Sequence, residues 1–511
     1  MNSCRVTRSL LASDAGMACL ALPLSAPFEH AETLPWFARR PSSGLQTVPP
    51  AIRSCGRNGS ERTSRSTLPA VGRFRHQLRG ADDVNWNGYR FRPVPLHPVV
   101  KSYRVAMPKS RGQAIEDGGQ GVRWVTPLSG FVLLYAVLYA SFGVVSPFLP
   151  AFIEMRGISA EQIGLIFAAG TAIRLVSAPL AGRLADRFGM RREILAVCAV
   201  AAAVGALLYL PASGLWFILL ASLFQAIALA PLAPLADALA LLAANRSRGG
   251  FEYGWVRGTG SAAFIAGSIV VGWVASSGSL AIILWLQAAL LAIVPLAIRL
   301  VPEGTACPPK ERSITKESVK ALLHVPVFRR VVLVAALILG SHAMHDTFAV
   351  IRWSAAGISP QTASLLWSIS VAAEVVVFFL IGPALLQRLG PAGAIALAAF
   401  AGAVRWSIAM VTVDLFALAL TQPLHGITFA LLHLACMRLL VLSVPQQLAA
   451  TAQAIYGTVG IGAATALLTL ASGWLYARLG SAAFGIMSLL CLAALPLAAG
   501  LRQAKETEQV S

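Results

Sequence analysis

Ionisable side chains inside long apolar runs are the residues of this sequence that could do chemistry. Glu374 stands in the segment SVAAEVVVFF, among apolar neighbours. Ionisable groups at such positions are costly in a membrane and usually functional. Burial favours the neutral form of a carboxyl group, which allows it to exchange a proton near neutral pH. Glu374 is therefore our first candidate for a proton-binding site. A structural hydrogen bond to a neighbouring segment is the alternative.

A second set of titratable side chains precedes Glu374 in the chain. His342, His345 and Asp346 are spaced by three and four residues, which places them on one face of a helix. They are further candidates for exchanging protons. The sequence has no HExxH motif and its seven cysteines are scattered singly. We therefore predict no metal site and no cofactor.

Basic, amide and aromatic side chains in the apolar runs are candidates for contacting a small molecule. Arg405 could hold a carboxylate or pair with Glu374, and Arg174 could clamp an anion or form an ion pair. Aromatic rings would suit a flat apolar solute, although helix packing or an interfacial belt explains a single ring equally. The predicted cavity residues are Arg174, Tyr135, Tyr139, Gln225, Trp367, Arg405, His425 and Gln453. Asp237 and Arg257 are interpreted as a structural ion pair.

The segments that carry these residues are long enough to cross a membrane. The 511-residue chain is 57% hydrophobic and only 12% charged, and its mean hydropathy is +0.70. No charged residue occurs between Glu193 and Asp237 or between Arg257 and Arg299, and turn-like strings interrupt these runs at 210–216 and 275–280. A helix needs about 20 residues to cross a bilayer and pairs all of its own backbone. We predict an all-α membrane protein with twelve transmembrane helices.

Basic residues predict the orientation and the domains. Lys and Arg collect in cytoplasmic loops, and here they follow every second span. Both termini and a central loop are therefore predicted to be cytoplasmic. Residues 1–106 hold 15 Lys+Arg against 6 Asp+Glu, with no nucleic-acid-binding motif, and a translation start at Met107 is the alternative to a disordered tail. The predicted parts are a basic extension at 1–120, a six-helix bundle at 125–302, a connecting loop at 303–327, a second bundle at 328–503 and a tail at 504–511.

Two short sequences recur in the predicted bundles. RGISAEQIGLI at 156–166 and AGISPQTASLL at 356–366 share Gly-Ile-Ser and a later Leu at an offset of 200 residues. DRFG at 186–189 and QRLG at 387–390 recur at an offset of 201. The repeats predict two pseudo-symmetric halves, an arrangement in which transporters bind their substrate near the midplane between the repeats.

The segment GRLADRFGMRR at 182–192 resembles the loop-2/3 signature of the major facilitator superfamily, and the resemblance covers about 125–505. Met190 replaces a usually basic residue. A finer resemblance, to the phenylpropionic-acid permease type related to lactose and nucleoside proton symporters, rests on segments 146–166, 253–261, 340–348, 365–379, 424–438 and 450–462.

The resemblance implies that the 182–192 segment latches the two halves together on the cytoplasmic side. Its glycines would permit a tight turn and close helix approach, and Asp186 would sit near a helix N-terminus. The alternative is a signal for membrane topology only. The predicted latch residues are Gly182, Asp186, Arg187, Gly189, Arg191 and Arg192.

The resemblance also implies a secondary active transporter rather than an enzyme. We expect it to move a small organic solute, for example an aromatic acid, by alternating access and proton symport. Its partners would be the solute, protons and the lipid of the inner (plasma) membrane, without nucleic acid, and the protein would be a monomer. Proton-coupled efflux is an alternative, as is a non-transporting membrane sensor or a membrane enzyme.

Overall fold

The computed structural model describes residues 127–246, 252–302 and 315–510, and these residues form helices without any β-strand. The predicted all-α class is confirmed. The extension predicted at 1–120 and residues 303–314 of the connecting loop lie outside the described residues. We refer to 127–302 as the first half and to 315–510 as the second half.

Eight helices form the first half. The turns predicted from the sequence are confirmed, because a helix ends at Leu208 and the next begins at Gly214, where φ is 73°. The helices are α1 Pro127–Val145, α2 Leu149–Met155, α3 Ala160–Phe188, α4 Arg191–Leu208, α5 Gly214–Leu229, α6 Leu232–Arg246, α7 Tyr253–Ser276 and α8 Ile282–Arg299.

The second half contains more and shorter helices. They are α9 Lys316–His324, α10 Pro326–Gly340, α11 His342–Ala355, α12 Pro360–Val376, α13 Gly382–Val411, α14 Leu415–Thr421, α15 Leu424–Gly426, α16 Leu432–Ser443, α17 Ala449–Ile455, α18 Ala464–Leu479 and α19 Ala483–Val510. Three π-helical segments, in which the backbone bonds span one more residue, join some of them: π1 Val377–Ile381, π2 Ile427–Leu431 and π3 Tyr456–Ala463.

Nine segments of the described chain are long and apolar enough to cross a membrane. Two of them, Pro360–Val411 with 52 residues and Gln446–Arg502 with 57, far exceed one crossing. Each is interrupted by a glycine with positive φ, Gly390 at 66° and Gly480 at 54°. The protein therefore crosses the membrane several times.

One of the two sequence repeats has the same local structure in both copies. Gly157 and Gly357 have φ values of 77° and 80°. Gly189 and Gly390 also have positive φ, 67° and 66°, but their ψ values of 19° and 168° differ. This left-handed region costs glycine little because it has no Cβ. Ser159 and Ser359 then begin α3 and α12 in the same way, each accepting a hydrogen bond from the backbone N–H three residues later. The motifs at 156–166 and 356–366 therefore share their local backbone structure, whereas those at 186–189 and 387–390 do not.

The halves contact each other most closely near one set of loops. A buried apolar cluster of the second half also includes first-half residues near 144–166, 209–221 and 271–284. Most of the remaining first-half core forms a separate cluster. At this end α3 approaches α18 so closely that a Cβ on Gly473 would lie 2.7 Å from the Ala160 carbonyl oxygen. The loops beside this contact are those predicted to face the outside.

Candidate functional site

Glu374, His425 and Arg405 form a continuous buried chain in the second half. Glu374, on α12, is 3% exposed and Arg405, on α13, is 2% exposed. Glu374 Oε2 lies 3.6 Å from His425 Nε2, and His425 Nδ1 lies 3.0 Å from Arg405 Nη1. The sequence suggested a direct pair between Glu374 and Arg405. The structure instead places the imidazole of His425 between them.

The partners of His425 define its hydrogen bonding. A guanidinium group has only donors, so Nδ1 of His425 must accept from Arg405. In a neutral ring Nε2 then carries the hydrogen and faces the Glu374 carboxyl group. The other carboxyl oxygen, Glu374 Oε1, is buried and has no hydrogen-bond partner among the described residues. The chain can therefore respond to a change of charge at either end.

Arg405 is held on several sides but keeps one free donor. Its Nη2 lies 3.2 Å from Gln422 Oε1 and 3.4 Å from His345 Nε2. Its guanidinium carbon lies 4.6 Å from the centre of the Trp406 ring. Gln422 Oε1 also accepts from Ser370 Oγ at 2.6 Å. Arg405 Nε is buried without a partner in the described part of the chain, so it could bind an anion.

The three predicted residues of α11 lie in the same group. The His342 ring centre is 5.0 Å from that of His425. His345 stacks on Trp367 at 5.3 Å, and its Nδ1 lies 3.3 Å from Asp346 Oδ1. The structure thus brings all four proton-coupling candidates together, with Trp367, Arg405 and His425 from the predicted cavity set.

A narrow cavity lies beside Arg405, and the empty space in and in front of it, open solvent included, is about 290 Å³. Arg352 and Arg405 contribute two guanidinium groups to its wall, and Trp353, Trp406 and Phe484 contribute aromatic rings. Trp406 is fixed by a hydrogen bond from its Nε1 to Ser341 Oγ at 2.8 Å. Such a wall suits a flat anion. The sequence did not identify three of the lining residues, Arg352, Trp406 and Phe484. Only the position of Trp406 next to Arg405 could have indicated one of them.

A second buried polar cluster lies in the first half. Asp237 Oδ1 accepts hydrogen bonds from the hydroxyl groups of Tyr135 at 2.5 Å and Tyr253 at 2.9 Å. The Arg257 guanidinium carbon lies 4.8 Å from the Tyr139 ring, and Arg257 interacts electrostatically with Asp237. Tyr135 and Tyr139 therefore surround this acid and do not line the second-half cavity. Tyr253 was not among the predicted residues.

The remaining cavity candidates lie apart from the second-half cluster. Gln225 Nε2 donates to Gln287 Oε1 at 2.8 Å, which links α5 to α8 in the core. Arg174 is half-buried on α3 and interacts electrostatically with Tyr209. Gln453 is half-buried on α17. Their role as cavity residues stays a prediction.

The 182–192 segment joins α3 to α4. Asp186 Oδ1 accepts from Arg191 Nε at 2.7 Å and Nη2 at 2.6 Å, at the beginning of α4. Arg192 Nη2 donates to the Ile298 carbonyl oxygen of α8 at 3.1 Å, and Gly189 makes the turn. A Cβ on Gly182 would have nothing within 4 Å in this structure, so the role of Gly182 in close helix approach stays a prediction. Arg187 is exposed beside the Phe188 ring.

Substitution of Asp186 by Asn is expected to slow transport without affecting membrane insertion. The change keeps the size of the side chain but removes the charge that holds both Arg191 bonds. Charge-assisted bonds are about twice as strong as neutral ones, so we expect initial uptake to fall at least about threefold. Initial rates and the amount of protein in membranes would be compared with those of an Arg183→Gln control, an exposed residue of the same segment. A normal rate would remove the latch role.

The helical fold with its repeated crossings defines a multi-pass membrane protein. The chain superposes on the nucleoside transporter NupG with a TM-score of 0.64, at 17% identity, covering 74% of this chain and 98% of that one. It also superposes on an inward-facing bacterial homologue of the human lysosomal transporter Spinster, with a TM-score of 0.54 at 16% identity over 74% and 96% of the two chains. At these identities the likeness concerns the fold.

The family is defined by sequence. Residues 127–486 match the model of the MFS_1 like family. The chain is 31% identical over 384 residues to the "Probable 3-phenylpropionic acid transporter" of Escherichia coli (strain K12), covering 74% of this chain and 97% of that one. It is 26% identical over 353 residues to the maltose permease of Geobacillus stearothermophilus, covering 68% and 87%. The chain belongs to the MFS_1-like family, and it is a transporter of a small solute, not an enzyme.

Proposed function

We propose that this protein is a proton symporter for a small aromatic carboxylate. The observation that carries the proposal is the buried chain from Glu374 through His425 to Arg405. It connects a group that can take up a proton with a group that can bind an anion. Both ends are removed from water. Charges interact more strongly in this low-dielectric interior than they do in water.

The shared imidazole couples the two ends. A substrate carboxylate that binds Arg405 competes for the guanidinium donors and weakens the bond from Nη1 to His425 Nδ1. Protonation of Glu374 removes the negative charge beside His425 Nε2. Each event changes the environment of the same ring. Binding of one partner therefore alters the affinity for the other, and this effect is reciprocal.

The cavity supports an aromatic anion as the substrate. Its two guanidinium groups would bind a carboxylate, and the rings of Trp353, Trp406 and Phe484 would contact a flat apolar body. One relative is named as a transporter of 3-phenylpropionic acid. Other relatives and neighbours carry the names of maltose and nucleoside transporters. The arginine pair favours the acid over such uncharged molecules.

Twelve crossings in two six-helix halves are the topology that we propose. The nine crossing segments do not include α4, an 18-residue helix that begins with three charged residues. Adding α4 and dividing the two long segments at Gly390 and Gly480 brings the number to twelve. Residues 125–302 and 328–503 would form the two bundles of a monomer in the inner membrane, with cytoplasmic termini and loop 303–327.

The helix contacts favour a state of this transporter that is open to the cytoplasm. The close approach of α3 to α18, and of Gly272 on α7 to Ser364 on α12, lies beside the loops predicted to be outside. Asp186 pairs with Arg191 within its own half at the opposite end. We propose that the latch engages the second half when the protein opens to the outside.

Uptake by purified protein in proteoliposomes tests the proposal. With an acidic exterior, we expect accumulation of labelled 3-phenylpropionate, and a protonophore should abolish it. A panel of aromatic acids, nucleosides and sugars would test the substrate class. Accumulation only when the gradient favours export from the cell would support efflux. Absence of transport of the whole panel would support a sensor, and uptake that ignores the gradient would contradict symport.

A further inference from the structure

A second buried histidine lies beyond the chain just described. His433, on α16, is 6% exposed, and its Nδ1 lies 3.3 Å from the hydroxyl oxygen of Tyr456. Tyr456 is 1% exposed. The Phe378 ring packs against the other side of the imidazole at 6.1 Å between centres. The cluster thus contains an imidazole and a phenol whose polar atoms face each other inside the membrane domain.

All three π-helical segments of the described chain lie between or beside the two histidine clusters. π1 begins three residues after Glu374, π2 begins two residues after His425, and π3 begins at Tyr456. π1 packs against π2. Beside these two segments, α15 approaches α12 so closely that a Cβ on Gly426 would lie 2.5 Å from the Ala373 carbonyl oxygen. π-helical turns are frequent at functional sites. Where the regular backbone hydrogen bonds of a helix are interrupted, water or a side chain can insert.

The π2 segment aligns the two histidines. In an uninterrupted α-helix, residues eight apart differ by roughly 80° in direction, because eight steps of about 100° exceed two turns. The extra residue of a π turn makes His425 and His433 equivalent to residues seven apart, which differ by only about 20°. By this geometry His433 faces the same side as His425, about 10 Å further along the axis. This direction leads to Ser443, at the end predicted to be cytoplasmic.

We infer that His433, with Tyr456, is a second proton station through which the proton bound at Glu374 leaves toward the cytoplasm. The inference rests on the proposed proton symport. Glu374 and His433 are too far apart for direct proton transfer, so water molecules must connect the two stations. The O–H bond of Glu374 breaks, and an N–H bond forms at His433 Nε2 by way of this water. The Tyr456 oxygen accepts a hydrogen bond from Nδ1–H of the imidazolium, and the proton then passes to water on the cytoplasmic side, leaving a neutral ring.

The surroundings of His433 suit a transient proton carrier. Tyr456 from π3 and Phe378 from π1 contact the ring, and Cys436 lies one turn further along α16. Helices α10 and α13 also pack against α16. The partners of the imidazole are thus an uncharged phenol and an apolar ring. The ring is therefore not bound in a permanent ion pair and can return to its neutral form after each cycle.

Net uptake and exchange in proteoliposomes separate this role from a structural one. Exchange of labelled for unlabelled 3-phenylpropionate without a gradient needs no release of the proton, whereas net accumulation does. We expect His433→Gln to lower net accumulation at least about tenfold and to leave exchange within about twofold, as for loss of one proton-transfer group. Tyr456→Phe should lower net accumulation less. Met437→Leu, a half-buried change on the same helix without an imidazole, is the matched control.

Three results would overturn the inference: equal losses of exchange and net uptake, unchanged net uptake, or the same defect in Met437→Leu. A wild-type protein that ignores the proton gradient would contradict the proposed function instead. The station can be tested independently by nitrogen NMR of protein with labelled histidine, using His433→Gln to assign the signal. We expect Glu374→Gln to alter the titration of the His433 ring, and a titration that is unaffected would contradict the route.

Discussion

Replacement of Glu374 by Gln is expected to abolish proton-driven accumulation while substrate exchange continues. Glutamine has almost the same shape and keeps a polar group beside His425 Nε2, which lies 3.6 Å from the carboxyl oxygen. It cannot bind or release a proton. The variant therefore resembles the protonated protein permanently and can carry substrate in both directions without coupling.

The expected size of this effect follows from the gradient. One pH unit corresponds to 1.36 kcal/mol, so a symporter that carries one proton concentrates its substrate up to about tenfold per unit. Glu374→Gln should reduce the inside-to-outside ratio to about one at every imposed gradient. Labelled 3-phenylpropionate in proteoliposomes would measure the ratio.

A matched control is available at Glu317, an exposed residue in the first turn of α9. Glu317→Gln removes the same charge without touching the buried chain, and we expect it to accumulate substrate normally. Undiminished accumulation by Glu374→Gln would reject the proton site and leave the structural role of a buried hydrogen bond.

Replacement of Arg405 is expected to weaken substrate binding and to remove the preference for acids. Arg405→Gln takes away the guanidinium group whose Nε is free beside the cavity. Hydrogen bonds to charged groups contribute about 1.5–3 kcal/mol. We therefore expect the KM for 3-phenylpropionate to rise by about ten- to a hundredfold. Arg405→Lys should also be impaired, because an ammonium group lacks the planar fork that reaches Gln422 and His425 together.

A comparison of two substrates distinguishes the loss of carboxylate binding from a general loss of transport. The initial rates of uptake of 3-phenylpropionate would be compared with those of its uncharged amide. Loss of a carboxylate-binding group should affect the acid and spare the amide. Arg299→Gln, at the exposed end of α8, is the control, and size-exclusion chromatography would verify that the variants remain folded. Equal losses for acid and amide would contradict a carboxylate site at Arg405.

The sequence alone determined the class of the fold and much of its local structure. Apolar runs of membrane length predict helices because a helix satisfies its own backbone in lipid. The turns near Gly214 and Ser277, and the repeated Gly157 and Gly357, depend on a few adjacent residues. Glu374 was visible because a single ionisable residue in an apolar run is rare and costly. Such signals are local, so they can be read without knowledge of the neighbours in space.

The tertiary structure alone decided which residues meet. His425 lies between Glu374 and Arg405, and Trp406 and Phe484 lie beside the same cavity, although these positions are far apart along the chain. The open space around Gly182 was equally beyond the sequence, since a close approach depends on a neighbouring helix. The π2 turn that directs His433 arises where α12 and α15 press together. Packing between distant segments fixes these contacts, and periodicity within one segment does not contain that information.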